Sequence, residues 1–377
     1  MRVAIDIRRA GDFGVGTYIR NIIVELGRLD RKNEYLLIGR RQHWEEIDPV
    51  PENFQLLEYG AAPQRLESHV GLPVRLAQSG VDLLHIPWFY APMWLPCRFV
   101  LTVHDLTDLL YPPAGASSLA QAVRLQIARR TLQRARRILA VSQCSKRDLA
   151  RAFAVPESKI EVVYNALDER FIREPMPADA DRILERHAVS YPFVLYAGNI
   201  KPHKNLARMI EAFAVAKSEL AEHPEFANLK LLLIGDELTK HPDLRRAVVR
   251  TRVREDVRFL GFVPHSVLRV FYAHARAFLF PSLYEGFGLP PLEAMAHGTP
   301  VVTSNVSSLP EVLDHAALLV NPENLFDIAR GIRQVLTEEP LRRELMRRGY
   351  EQVKRYSWER SAQQVLDVYR AVARAET

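Results

Sequence analysis

AFLFPSLYEGFGLPPLEAMAHGTP, residues 277–300, is the stretch whose reading decides the fold. Its first four residues are continuously apolar, as in a short buried strand. Pro290 and Pro291 fit the first turn of a helix, where a missing N–H costs nothing. Gly298 fits the C-terminal stop of that helix. Strand, glycine loop and helix N-terminus in this order can hold a phosphate on backbone N–H groups. Two carboxylates, Glu285 and Glu293, stand at the ends of the loop and helix. A ligand with a diphosphate in its middle and hydroxyls at both ends suits that arrangement.

The same alternation runs along the whole chain. Apolar runs at 2–7, 35–38, 54–57, 82–85, 99–103, 137–141 and 160–163 predict strands in the first half, and those at 193–196, 230–234, 257–260, 277–280, 300–303 and 317–320 in the second. Most are continuous rather than alternating, the pattern of parallel strands covered by helices on both faces. The chain's 377 residues exceed one ordinary core,. The fold class predicted is therefore α/β, with two Rossmann-like, doubly wound parallel-sheet domains facing each other across a cleft. The boundaries read as 1–170 for the N-terminal domain, 171–190 for a linker and 191–355 for the C-terminal domain. A last helix within 356–377 follows the final strand by a long way and is long enough to pack back on the first domain, an option the sequence leaves open. The linker is placed by Pro175, Pro177 and their acidic surroundings, which break the rhythm.

Composition excludes little but bounds the rest. Apolar residues are 48 % and charged residues 25 %, as in globular proteins,. No apolar run approaches the roughly 18 residues that a spanning helix needs, and the opening MRVAIDIRRAGDFG reads as a strand and loop rather than a signal peptide,. Cys97 and Cys144 have no metal or redox spacing, which fits packing residues in a reducing cytosol. The net charge of +6 suits a phosphorylated substrate, an anionic membrane surface or nucleic acid,. Arginines gather at 124–137, interleaved with Leu125, Ile127, Leu132 and Ala135, and again at 342–348. Each cluster reads as a solvated helix face or, for the first, a membrane-facing one.

Residues just after strands carry the chemistry, because sites in doubly wound folds form at the carboxyl ends of the sheet. The run Gly11–Thr17 follows the first strand and reads as a glycine loop that lets backbone approach a ligand, or as a plain strand-to-helix turn. Its spacing is not G-x-G-x-x-G, which disfavours a nicotinamide enzyme. His104 and Asp105 follow the strand at 99–103. Gly198, Asn199, Lys201, His203 and Lys204 follow the strand at 193–196 as a basic loop before a helix, a phosphate clamp or a solvated turn. Asp179-Ala180-Asp181 has the form of a metal-holding pair, yet it lies in the linker and reads as a cap for a helix at 183–187. The aromatic run 87–94 serves acceptor stacking, a membrane dip or domain packing.

With these residues in view the chain resembles the family 4 glycosyltransferases, retaining and metal-independent enzymes of the two-Rossmann GT-B fold. YAGNIKPHKN resembles the family's phosphate-lysine loop, FPSLYEGFGLPPLEAMAHGTPVVTSNVSSLPEV its E-x7-E donor region, LTVHDL its His-Asp turn and VVYNALD its hinge, with Ala166 in place of the usual glycine. The resemblance implies that Glu285 holds hydroxyls of the donor sugar, that Phe287, Gly288 and Leu289 offer backbone N–H groups to the diphosphate, and that Ser282 and Gly286 also belong to the donor site. It implies that Glu293 binds the ribose and Lys204 neutralises the leaving diphosphate. Val263, in the loop 261–264, would take the base through its backbone, and Asn199 would stand where many members have an arginine. The second cation of the clamp is then Lys201 or His203. His104 would contact the transferred sugar, Asp105 the acceptor, and Gly14 and Gly16 the donor from the other domain.

The expected activity is retaining transfer of a hexose from a nucleotide-diphosphate sugar to a glycan or lipid-linked acceptor. It would proceed by same-face attack, with no cofactor and no metal. The wording of the donor region resembles the mannosyltransferase-like branch, which points to GDP-mannose and polysaccharide biosynthesis. The location expected is cytoplasmic, peripheral at the inner membrane face, without nucleic acid. The alternatives are a nucleotide-sugar epimerase of the same fold, and a non-catalytic basic protein that binds membranes or nucleic acid.

Overall fold

The computed structural model describes residues 1–62, 65–111, 117–169, 171, 174–235 and 241–374. The chain divides into two compact units, one of residues 1–166 and 356–377, the other of residues 167–355. Each of the thirteen expected strands is present, with its ends within one residue of the sequence reading.

The first unit runs β1 Arg2–Asp6, α1 Phe13–Leu29, β2 Glu34–Gly39, α2 Arg41–Glu45, β3 Phe54–Glu58, α3 Leu66–Gln78, β4 Leu83–Ile86 and β5 Arg98–Val103, then α4 Thr107–Leu110, α5 Ser118–Arg134, β6 Arg137–Ala140, α6 Gln143–Phe153 and β7 Ile160–Val162. Its strands form one 7-stranded sheet in the order β3-β2-β1-β4-β5-β6-β7, and every pairing is parallel. The order reverses between β1 and β4, the position where doubly wound sheets open a crevice at their carboxyl ends.

The second unit begins with α7 Ala180–Arg186 and β8 Phe193–Ala197, followed by α8 Leu206–Glu219, β9 Lys230–Ile234, α9 Pro242–Thr251, β10 Val257–Gly261, α10 His265–His274 and β11 Ala277–Phe280. It ends with α11 Leu289–Ala296, β12 Val301–Ser304, α12 Leu309–Leu313, β13 Leu318–Val320, α13 Leu325–Thr337 and α14 Glu339–Val353. Its 6-stranded sheet has the order β10-β9-β8-β11-β12-β13, again parallel throughout. Here the reversal lies between β8 and β11. Those strands carry the lysine loop and the EGFG loop, and pair in register at Ala277 with Val194 and Phe278 with Leu195.

The last helix, α15 Trp358–Arg374, belongs to the first unit. Ala362, Val365, Leu366 and Tyr369 on it are fully buried in one core with Tyr18, Ile22, Ile23 and Leu26 of α1. Burying each large apolar side chain stabilises by about 1.5–3 kcal/mol. Polar links fix its register: Ser361 Oγ donates to Tyr164 O at 2.6 Å, and Arg98 Nη1 donates to Val372 O at 2.8 Å.

Two local expectations change. The residues read as a glycine loop at 11–17 are mostly helix, because α1 starts at Phe13 and contains Gly14 and Gly16. A Cβ on Gly16 would lie 2.2 Å from Ala10 O, so this glycine lets the first turn of α1 close on the loop after β1. Nothing lies within 4 Å of a Cβ on Gly14, which therefore has no packing reason to be glycine. In the segment read as a linker, residues 172 and 173 lie outside the described residues, and α7 starts at Ala180 rather than 183. Asp179 holds the N-cap position without a side-chain capping bond, and its carboxylate lies 3.6 Å from Arg186 instead. The arginines at 342–348 line α14, pairing with Glu339 and Glu344 as a solvated face does.

Candidate active site

Adjacency of β8 and β11 brings together residues that are 81 apart in sequence. Lys204 Nζ lies 2.7 Å from Glu285 Oε1, and each side chain is only 11 % exposed. The ammonium also lies 5.0 Å from the centre of the Phe280 ring, a cation–π contact,.

Both loops are tied to each other by backbone. Leu283 N donates to His203 O at 2.7 Å. Asn205, at φ +61°, donates from Nδ2 to Pro281 O at 3.1 Å and to Pro322 O at 2.8 Å. The loop after β11 is stapled from the loop after β12. Glu285 N donates to Ser307 Oγ at 3.0 Å, while Glu285 O accepts from Ser307 Oγ at 2.6 Å and from Ser308 Oγ at 3.0 Å. Ser308 Oγ also reaches Phe287 O at 3.1 Å. Ser282 is fully buried, and its Oγ has no partner among the described residues.

Gly288 caps α11 at φ +107°, a conformation that only glycine adopts readily,. Leu289 then opens the helix, whose first N–H groups have no partner within the helix itself. Gly286 and Phe287 are buried just before it. One turn further on, Glu293 Oε2 accepts from Tyr272 O–H at 2.9 Å. Burial, reinforced by the nearby Asp168 charge and opposed by the Tyr272 bond, pushes the Glu293 carboxyl up to about 7. The Tyr272 ring stacks on His297 at 5.7 Å. Val263, 7 % exposed, lies in the loop between β10 and α10 beside the exposed Phe262. In the lysine loop Asn199 and Lys201 are exposed, whereas His203 is buried. Asn199 O accepts from Tyr196 O–H at 2.9 Å.

The first unit carries the remaining candidates. His104 follows β5 and is 7 % exposed. Burial pushes its imidazole down to about 4, with the Arg9 charge acting the same way against Asp105, so the ring is neutral near pH 7. Its Nε2 has no hydrogen-bond partner among the described residues. Its ring is held edge-on by Tyr18 at 4.9 Å. Tyr18 O–H meets Thr102 Oγ1 at 2.8 Å, and His85 bridges Thr102 Oγ1 at 2.7 Å to Tyr369 O–H at 2.6 Å. This buried chain links α1, β4, β5 and α15 beneath His104. Asp105 Oδ1 accepts from Thr107 N at 2.7 Å, at the first residue of the short α4. Of the aromatic run, Trp88 and Phe89 are buried and stacked at 4.5 Å, with Arg9 3.6 Å above Trp88, while Met93 and Trp94 are exposed.

Sequence reasoning singled out neither Ser307 and Ser308, which fix the backbone of Glu285, nor Tyr18 and Tyr272, which orient His104 and Glu293. No pattern marks a hydroxyl that acts through another residue. The signal open to it was position, since the two serines follow β12 at the same sheet edge. Among the described residues no group of three or more His, Cys, Asp or Glu could hold a metal ion.

Known proteins match both halves. The sequence model described as Glycosyltransferase Family 4 matches residues 14–171, and that described as Glycosyl transferases group 1 matches residues 179–352. O-antigen chain mannosyltransferase B of Escherichia coli is 33 % identical over 289 residues, covering 76 % of this chain and 74 % of that protein. Serotype-specific mannosyltransferase WbdA of Escherichia coli is 30 % identical over 277 residues, covering 72 % of this chain but only 33 % of its own length. HepE of Anabaena, solved in complex with UDP-glucose, superposes with a TM-score of 0.76 over 98 % of this chain and 100 % of its own, at 18 % identity, a likeness of fold. Both sheets, both family matches and the E. coli relative agree: the chain is a GT-B glycosyltransferase and belongs to the group 1, family 4 glycosyltransferases.

Proposed function

We propose that this glycosyltransferase moves a hexose, mannose in the first instance, from a nucleoside diphosphate sugar to a glycan or lipid-linked acceptor, with retention and without a metal. The observation that carries the reading is the nearly buried Lys204–Glu285 pair at the switch point of the second sheet, with Glu285 three residues before Gly288, the N-cap of α11. A cation and a helix N-terminus are what a departing diphosphate needs, since about half a positive charge resides at the helix end. Aimed at developing charge in a water-poor site, such groups stabilise a transition state strongly. Glu285 meets the sugar hydroxyls and Glu293 the ribose, with Val263 at the base and Asn199 and Ser282 beside the diphosphate. His104 is assigned to the transferred sugar, Asp105 to the acceptor, and Gly14 and Gly16 to the donor. The neutral His104 ring, with its unpartnered Nε2, supports a polar contact there rather than a charge. Same-face attack fits this division, because Glu285 is engaged by Lys204 and not set as a nucleophile.

The mannosyl preference rests on the two E. coli relatives, and the nucleotide donor on the UDP-glucose complex of the structural neighbour. We further propose that the enzyme works at the cytoplasmic face of an anionic membrane. On α5, Leu119, Val123 and Ile127 recur every four residues on the solvent side, with Arg124, Arg129 and Arg130 beside them. The other side of α5 is buried through Ala128, Thr131 and Leu132. An exposed apolar stripe flanked by arginines suits lipid headgroups. No helix among the described residues is long and apolar enough to span a bilayer.

A thermal-shift series with GDP, UDP, ADP and dTDP tests the donor site. One nucleotide, GDP by the mannosyl reading, should raise the melting temperature selectively in the presence of EDTA. Equal response to all four, or a shift that requires added metal, contradicts the reading.

A further inference from the structure

Lys204 and Glu285 neutralise each other at 2.7 Å, and the backbone that carries each is held in place. The Glu285 backbone N and O are held by three bonds to the Ser307 and Ser308 hydroxyls, and the Lys204 loop is strapped through His203 O and Asn205. A diphosphate drawn to Lys204 must therefore share its ammonium with an adjacent, nearly buried carboxylate. What replaces the lost share differs between substrate and product. The intact donor brings sugar hydroxyls, which can donate hydrogen bonds to Glu285. The nucleoside diphosphate brings none. It also carries an additional negative charge on its terminal phosphate, at the oxygen where the sugar was attached. In a site of low dielectric, like charges at such a distance repel far more than in water.

We infer that Glu285 is a specificity-determining residue that discriminates the intact nucleotide sugar from its nucleoside diphosphate product. The carboxylate favours a diphosphate that arrives with hydroxyls, and it weakens the hold on the diphosphate once the sugar has gone. Product release is then built into the same ion pair that receives the donor. The inference rests on the donor-site reading above and adds a sign to it: removing the Glu285 charge must tighten product binding.

Isothermal titration with GDP, UDP, ADP and dTDP, and with the hexose conjugate of whichever binds, tests it on three variants. Glu285→Gln should bind the nucleoside diphosphate about tenfold more tightly than wild type, as expected for removing one close like charge. Its affinity for the hexose conjugate should not rise, so the ratio between the two falls. Glu285→Ala should show the same gain for the diphosphate, which guards against a fold defect peculiar to one variant. An unchanged or weaker diphosphate affinity in both overturns the inference. Lys204→Ala separates the two levels. If it loses diphosphate binding while the Glu285 variants gain nothing, discrimination by Glu285 alone is refuted. If it binds the diphosphate as wild type does, the donor-site reading itself fails.

Discussion

Glu293 shows how one residue's surroundings set its chemistry. Its carboxyl is pushed up to about 7 from an ordinary 4.5, chiefly by burial. The fold therefore favours the protonated acid. That stability is fully present below about pH 4.5 and is lost as the pH rises through 7, an effect of at most about 3 kcal/mol. Glu293→Gln, which keeps the shape without the charge, should melt at a higher temperature than wild type at pH 8, and the gap should close by pH 5. A gap independent of pH would show that burial of the charge is not the cause. At this scale the residue types were legible and their meetings were not. Lys204 and Glu285 could be named from the sequence as cation and acid, but their contact depends on β8 lying beside β11, and strand order leaves no mark on the residues. The buried His85–Thr102–Tyr18 chain was illegible for the same reason, because it joins three elements and α15.

Elements were the most legible level. The strands were readable because most are short apolar runs covered on both faces, buried throughout in β4, β8, β11 and β12, while the edge strands β3, β7, β10 and β13 are only partly buried. The start of α1 was not, because glycines weaken a helix and signal a turn. Tertiary contact decides it instead, with the Gly16 backbone packed on Ala10 O. α11 was read correctly from its flanks, Pro290 and Pro291 inside the first turn and Gly298, at φ +74°, beyond the end. The diphosphate-binding role proposed for it rests on Gly288 at φ +107°. Alanine there is strained, and its Cβ would meet Leu309 Cδ2 at 2.9 Å. Gly288→Ala should lower unfolding free energy by about 1–3 kcal/mol in urea titrations. Nucleoside diphosphate affinity should fall with it, because the helix N-terminus is displaced. Full stability with full affinity would mean that the left-handed turn is not what aims the N–H groups.

For the whole molecule, the two sheets with their reversals of strand order give each unit a carboxyl edge on which functional loops gather,. The two-unit organisation was legible from length and from the repeated strand–helix alternation. The return of α15 to the first unit could be anticipated only as an option, since the helix is separated from its partners by the whole of the second unit. What decides it is the apolar face from Trp358 to Val372, which completes the core of α1. The proposed membrane attachment is likewise a matter of the whole surface. The intact protein should co-sediment with vesicles containing phosphatidylglycerol and lose that binding in Leu119→Asp/Val123→Asp, with its melting temperature retained; equal sedimentation of both would remove α5 from the contact. The central claim, that the nearly buried Lys204 receives the departing diphosphate of a nucleotide sugar, is tested most directly by 31P NMR of GDP-, UDP-, ADP- and dTDP-linked hexoses incubated with enzyme in EDTA. The account predicts release of one nucleoside diphosphate by the wild type, falling at least about a hundredfold in Lys204→Ala, as for the loss of one group that stabilises transition-state charge. No release from any of the four, or undiminished release by Lys204→Ala, would contradict it.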